Sequence, residues 1–156
     1  MKLERSCGAV VFTRKDHRIL FIIVQEMGGA YSFPKGHMEG NETETETAQR
    51  EVFEEIGLKP AFIPGFRQED EYDLKEKPGT RKRVTYFLAE YQGEPLTPRA
   101  GEIRGIELLP YEQAVERFNN KSTKNILDAA VEFLNSLGLQ DTPVSVEAGK
   151  ESAGFR

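Results

Sequence analysis

The sequence predicts an α/β protein, a single mixed β-sheet sandwiched between helices on both faces, and two observations carry that expectation. Stretches rich in β-branched and aromatic residues alternate with stretches of helical apolar spacing, in the order strands, helix, strands, helix. A length of 156 residues with 38% apolar and 30% charged residues suits one packed domain and leaves little room for a second.

Arg5 to Thr13 and Arg18 to Gln25 are strand-like, and the polar Arg14-Lys15-Asp16-His17 between them reads as the turn of a hairpin. Gly28-Gly29 then breaks the pattern, and Tyr31 to Gly36, punctuated by Pro34, is expected to be loop. From Thr43 to Ile56 the spacing is helical, with Ala48, Val52 and Ile56 every four residues. Thr43 and Glu46 have the spacing of a capping box, and Gly57 followed by Leu58 suits a left-handed C-terminal cap. Ala61 to Tyr72 and Arg83 to Tyr91 read as strands joined through a Pro78-Gly79 turn, and Ile103 to Leu109 as a further strand. Tyr111 to Phe118 and Thr123 to Leu137 return to helical spacing, with Ser122 as the expected N-cap of the second and Gly138 as its stop. Residues 1–140 are read as the folded domain, and the small, polar stretch 141–156 as a flexible tail.

Cys7 is the only cysteine, so an internal disulfide and a multi-thiolate zinc site are both excluded. The net charge of −5 argues against broad attraction to DNA, and a polyanionic substrate would need local cations or bound metal. The apolar run Ile19 to Val24 is too short to span a bilayer, and the first residues lack a signal-peptide pattern. The expected compartment is the cytoplasm, with no membrane partner.

On a helix advancing about 100° per residue, Glu51, Glu54 and Glu55 fall within an arc of roughly 100°, beside the face that carries Ala48, Val52 and Ile56. Such crowding opposes helix formation by about 0.2 to 0.5 kcal/mol per like-charged pair, and it lies near the negative end of the helix dipole. A bound cation reverses the sign, and oxygen-only ligands select hard ions such as Mg²⁺ or Mn²⁺. Taken alone, three glutamates are better explained by a solvated acidic face, because Glu44 and Glu46 make the helix acid-rich anyway.

The surrounding pattern is more specific. Gly36, Glu42, Arg50, Glu51, Glu54, Glu55 and Gly57, with aliphatic Val52 and Leu58, resemble the Nudix box at every defining position and spacing. The resemblance implies the Nudix α/β/α sandwich and hydrolysis of a phosphoanhydride bond in a nucleoside polyphosphate. It further implies that Glu51, Glu54 and Glu55 hold divalent ions, that Arg50 orients the carboxylates, that Gly36 permits a tight loop, and that Glu42 supports the junction of loop and helix. Glu54 is the expected general base, with Glu102 as its rival, since related enzymes often draw a further metal-binding carboxylate from that strand. Outside the box, Tyr31 to His37 resembles the Trp-x-x-Pro-Lys-Gly-His loop of asymmetric diadenosine tetraphosphate hydrolases, with Tyr31 where Trp is common. That likeness implies phosphate contacts from Lys35 and Lys82, a contact from His37, and stacking of an adenine on Tyr72, and it points to cleavage of diadenosine tetraphosphate into ATP and AMP.

Each of these residues has a plainer role open to it. Lys35 can be read as an exposed loop cation, although its place beside the box favours phosphate contact; His37 can be read as a partner within the loop, and Tyr72 equally as a residue packed in the sheet. Arg81-Lys82-Arg83 reads as a solvated strand end or as the partner of Glu69-Asp70-Glu71. The same scaffold also serves nucleoside triphosphates, ADP-ribose, diphosphoinositol polyphosphates and RNA 5′ ends. A catalytically silent nucleotide-binding module is the alternative from another class, although such modules usually lose box glutamates that this chain keeps.

Overall fold

The structure, a computed structural model, describes residues 2–141. Its elements in chain order are β1 (Lys2–Lys15), β2 (Arg18–Glu26), β3 (Tyr31–Ser32), β4 (Lys35–His37), α1 (Glu44–Ile56), β5 (Ala61–Asp73), β6 (Thr80–Glu90), β7 (Ile103–Pro110), α2 (Tyr111–Arg117) and α3 (Lys121–Ser136). The strands form one mixed sheet of order β3-β2-β1-β6-β5, with β4 paired to β1 and β7 to β2. Its centre is the parallel pair of β1 and β6, in register from Lys2 opposite Thr80 to Phe12 opposite Glu90.

Alternation along the strands builds two cores. Val10 and Phe12 of β1, Phe21 and Ile23 of β2 and Leu88 of β6 face α2 and α3, meeting Ala114, Ile126, Leu127, Ala130 and Leu134. Ala9, Val11, Ile22, Val24 and Ala89 face the other way, onto Val52, Ile56 and Leu58 of α1 and the residues after it. Complete burial of a side chain such as Val52 or Ile56 stabilises by about 1.5–3 kcal/mol, which is what holds an otherwise acidic helix on the sheet. Helices therefore cover both faces, as the element order predicted. Among the described residues, no helix is long and apolar enough to cross a membrane.

Four local expectations are corrected. The hairpin turn is shorter than the four residues foreseen: the strands run on to Lys15 and resume at Arg18, so that Asp16 and His17 alone turn the chain, with φ of 52° and 69°. Positive φ at both central residues matches the right-handed twist of the flanking strands. The segment from Tyr31 is not wholly loop. Beyond Phe12, β1 pairs with β2, whereas nearer its start Ser6, Cys7 and Gly8 pair with β4, so β4 fills the gap where β1 and β2 diverge. Pro34 lies between β3 and β4, where its missing N–H costs no ladder bond, and its carbonyl accepts the Ala9 N–H at 3.1 Å. The N-cap of α3 is Asn120 rather than Ser122, because an N-cap side chain must reach the N–H three residues on; Asn120 Oδ1 accepts from Thr123 N at 2.8 Å. Ser122 sits in the first turn and donates to the same oxygen at 3.0 Å. Of the expected tail, Asp141 is fixed, its carboxylate accepting the Ile19 N–H at 2.5 Å, and 142–156 lie outside the described residues.

Candidate active site

α1 begins and ends as its sequence dictates. Thr43 Oγ1 accepts from Glu46 N at 3.1 Å, and the Glu46 carboxylate accepts from Thr43 N at 2.9 Å, which closes the capping box. Gly57 caps the C-terminus at φ 73°, a conformation that strongly favours glycine. Between these ends, the inward face is taken by Ala48, Val52 and Ile56, so Glu51, Glu54 and Glu55 are carried along one flank, against β4 and the segment that leads into β7.

The three carboxylates occupy different environments. Glu51 is buried at 7% exposure. Burial pushes its carboxyl above the ordinary carboxylate range, against the pull of Arg50. Glu55 is driven further, up to about 7, by burial first, while the Lys35 N–H at 3.3 Å and the lysine's charge pull it down. Glu54 is exposed and faces the cleft. Burying two carboxylates with so few donors is costly unless a cation joins them.

Arg50 organises this flank. Its guanidinium grips Glu42 through two nitrogens, at 2.5 and 3.0 Å, and also donates to Glu51 at 2.9 Å, to Glu54 at 3.2 Å and to the His37 carbonyl at 2.8 Å. Glu42 is held down to about 2, first by the hydrogen bond from Arg50 and then by that from Thr47. One arginine thus ties the loop after β4 to the helix. Gly36 completes the junction, since a Cβ there would fall inside the Glu51 carboxylate. Gly8 plays the same part on β1, where a Cβ would collide with the Pro34 carbonyl and Lys35. Its sequence neighbourhood gave no sign of that, because the collision is with residues brought across the sheet.

These side chains line one cleft. A hollow of about 540 Å³ is bordered by Lys35, Gly36, His37, Glu51, Glu54, Glu55, Lys82 and Glu102. Glu26, Lys35 and Lys82 also border an adjoining hollow of about 600 Å³, whose walls include Tyr31, Tyr72, Asn120 and Thr123. Every residue expected to touch metal or substrate is therefore brought to one continuous surface. Arg81-Lys82-Arg83 divides by strand alternation: Arg81 and Arg83 pair with Glu71 of β5 at 3.0 Å each, whereas Lys82 points into the cleft. Burial lowers the Lys82 ammonium below its usual range. Tyr72 lies opposite Lys82 in the β5–β6 register and remains 38% exposed, so its ring borders the hollow without filling the core. His37 borders the cleft, and its main-chain carbonyl is what meets Arg50. A further hollow, of about 740 Å³, lies elsewhere, on the outer side of α1 between Phe53 and Phe62, and includes none of Glu51, Glu54 and Glu55.

One residue of the cleft had no signal in the sequence. Arg99, in the irregular segment before β7, places Nη1 3.3 Å from Glu54 and Nε 3.4 Å from Glu102. Among the described residues, no three carboxylate, imidazole or thiol groups converge as they stand into a closed metal cage. The oxygens are instead taken up by Arg50, Arg99 and the Lys35 N–H. The donor set nevertheless suits a hard divalent cation. All of it is carboxylate oxygen, two of its members are partly or wholly desolvated, and glycine at position 36 leaves the Glu51 carboxylate its space.

Comparison with known proteins agrees with this geometry. The fold resembles that of a Caenorhabditis elegans Ap4A hydrolase in a binary complex, with a TM-score of 0.79 at 22% identity over 85% of this chain and 98% of that one. In sequence, the chain is 32% identical over 145 residues to the asymmetrical bis(5′-nucleosyl)-tetraphosphatase of Sus scrofa, spanning 85% of this chain and 97% of the relative. The enzyme of the same name from Mus musculus is 33% identical, with 85% of this chain and 96% of the relative aligned. The NUDIX domain family profile matches residues 2–130, nearly all of the described fold, and the chain belongs to the NUDIX family as a Nudix hydrolase.

Proposed function

We propose that this Nudix hydrolase cleaves diadenosine tetraphosphate asymmetrically, to ATP and AMP, with Mg²⁺ held by Glu51, Glu54, Glu55 and Glu102, and Mn²⁺ as a possible substitute. The observation that carries the reading is the continuity of the cleft: the hollow with the carboxylates opens, across Lys35 and Lys82, into one bordered by Tyr72. A long phosphate chain with a base at one end fits that succession of anionic, cationic and aromatic walls. Similarity over 85% of this chain to enzymes named for this reaction supports it.

When bound, the divalent cation would neutralise phosphate oxygens and acidify a water. The chain's own residues supply the rest. Lys35 and Lys82 bind the phosphates by charge-assisted hydrogen bonds that make small demands on geometry, and Tyr72 stacks on an adenine. His37 borders the phosphate path. Glu54, the exposed member of the cluster, takes the proton of the attacking water as the P–O bond to the leaving group breaks. Glu102 is the other carboxylate that can serve as base, since it too opens onto the cleft.

The test is a substrate panel with Mg²⁺, its products resolved by ion-exchange chromatography. Diadenosine tetraphosphate should give ATP and AMP, and turnover should vanish on chelation and return with Mg²⁺ or Mn²⁺. Full activity in excess chelator would sink the metal mechanism. A tenfold preference in kcat/KM for ADP-ribose or a nucleoside triphosphate would reassign the substrate within the family.

A further inference from the structure

Arg99 is not part of the glutamate motif, yet its guanidinium lies between the two carboxylates that compete for the role of base. Nη1 is 3.3 Å from Glu54 Oε1, and Nε is 3.4 Å from Glu102 Oε2. Its main chain is fixed independently of the side chain. The Arg99 N–H donates to the Glu55 carbonyl at 2.9 Å, and the Arg99 carbonyl accepts from Glu102 N at 3.2 Å and from Ile103 N at 2.9 Å. A long cationic side chain is thus rooted at the C-terminal end of α1, on the wall of the cleft. The root is held by these main-chain hydrogen bonds, while the head is 41% exposed and held by the two ion pairs alone.

The charges around it explain why such a cation is needed. Glu26, Glu39, Glu51, Glu54, Glu55 and Glu102 all border this hollow, and the lysines and arginine on its wall, beside His37, are Lys35, Lys82 and Arg99. Lys35 and Lys82 stand on the side shared with the neighbouring hollow; Arg50 reaches Glu54 from within the helix, and Arg99 is the cation that meets Glu54 and Glu102 together. A hard cation seeks those same two carboxylates. A cation that takes the oxygens Arg99 now holds, Glu54 Oε1 and Glu102 Oε2, competes with the guanidinium for them, and a displaced guanidinium finds its best partner in the phosphate oxygens that arrive with the substrate.

We infer that Arg99 is an exchangeable counter-ion and positioning residue, which holds Glu54 and Glu102 in the metal-free enzyme and passes to the polyphosphate when the cation takes those carboxylates. This rests on the metal and substrate reading above, and it makes two demands. Without substrate, Arg99 competes with metal; with substrate, Arg99 helps to hold it.

The experiment compares wild type, Arg99→Gln and Arg99→Lys. Mn²⁺ binding is titrated without nucleotide, with free Mn²⁺ read by electron paramagnetic resonance, and KM and kcat are then measured for diadenosine tetraphosphate at saturating Mg²⁺. Removing two partly exposed ion pairs should tighten Mn²⁺ binding by roughly three- to tenfold in Arg99→Gln. The same variant should raise KM by about an order of magnitude with a smaller change in kcat, as loss of a charge-assisted phosphate contact implies. Arg99→Lys, which keeps the charge, should bind Mn²⁺ close to wild type and recover part of the KM. Disturbed folding would weaken metal binding, so the direction of the Mn²⁺ change separates the two causes. Unchanged or weaker Mn²⁺ binding in Arg99→Gln, or an unchanged KM, overturns the role of Arg99 while the enzyme reading stands. Wild-type protein that binds no Mn²⁺ overturns the metal reading and this inference with it.

Discussion

Glu54 and Glu102 show how much a residue's chemistry depends on its immediate neighbours. Glu51 and Glu55 are drawn into the protein, and burial makes their charged forms costly, which suits groups that share a cation and poorly suits a group that must meet water repeatedly. Glu54 is the exposed one, steadied from two sides by Arg50 and Arg99. Glu54→Gln keeps the shape and removes the proton acceptor, so kcat should fall on the order of 10²-fold or more with the fold intact. If Glu54→Gln retains near wild-type kcat while Glu102→Gln is crippled, the base is Glu102. Glu42 gives a prediction for stability. Its carboxyl is held down to about 2 by Arg50, below the ordinary value of 4.5, so its contribution is fully present above the unfolded value and is lost as pH falls through about 2. Thermal unfolding should therefore show wild type more stable than Glu42→Gln at pH 6, with the gap narrowing below pH about 4.5 as protonation removes the pair. A gap that is constant from pH 6 to pH 2 would mean that the Glu42–Arg50 contact adds no stability.

Among the elements, α1 and β4 carry the site together, and neither does so alone. The helix presents its carboxylates because its apolar stripe is buried and its ends are capped, all of it local and visible in the order of residues. The strand is different. Three residues containing glycine have little intrinsic preference for a ladder, and β4 exists because β1 offers an unpaired edge where it parts from β2. Gly36 is where the two elements touch. Gly36→Ala would drive a methyl group into the Glu51 carboxylate, so β4 and α1 must move apart. The expected result is a destabilisation of about 1–3 kcal/mol, the usual cost of overpacking, together with weaker Mg²⁺ binding. Isothermal titration and chemical denaturation measure the two effects, and an alanine variant that binds Mg²⁺ like wild type would show that β4 does not set the carboxylate geometry.

At the scale of the molecule, the parallel pairing of β1 with β6 brings Lys82 beside the cleft that α1 and β4 enclose, with Tyr72 opposite it on β5. Lys35 and Lys82 are 47 positions apart in the chain and border the same two hollows. If this wall holds the distal phosphates, Lys82→Ala should raise KM for diadenosine tetraphosphate more than for ADP-ribose, whose shorter chain need not reach it. Equal effects on both substrates would place Lys82 at the phosphates common to them.

The family, the sandwich class, the capped helix and its carboxylate flank were legible along the chain. Each of those follows from periodicity, from caps within four residues, or from a motif confined to Gly36–Leu58, so no distant contact is needed to specify them. The folded chain was needed to show which of the three glutamates is exposed, that Gly8 must be glycine, that a segment read as loop pairs as strand, and that Arg99 reaches both Glu54 and Glu102. These depend on distances between residues far apart in sequence. Burial, steric exclusion and ion pairing act through space, and the order of residues along the chain does not record which of them the folded sheet will bring within a few ångströms.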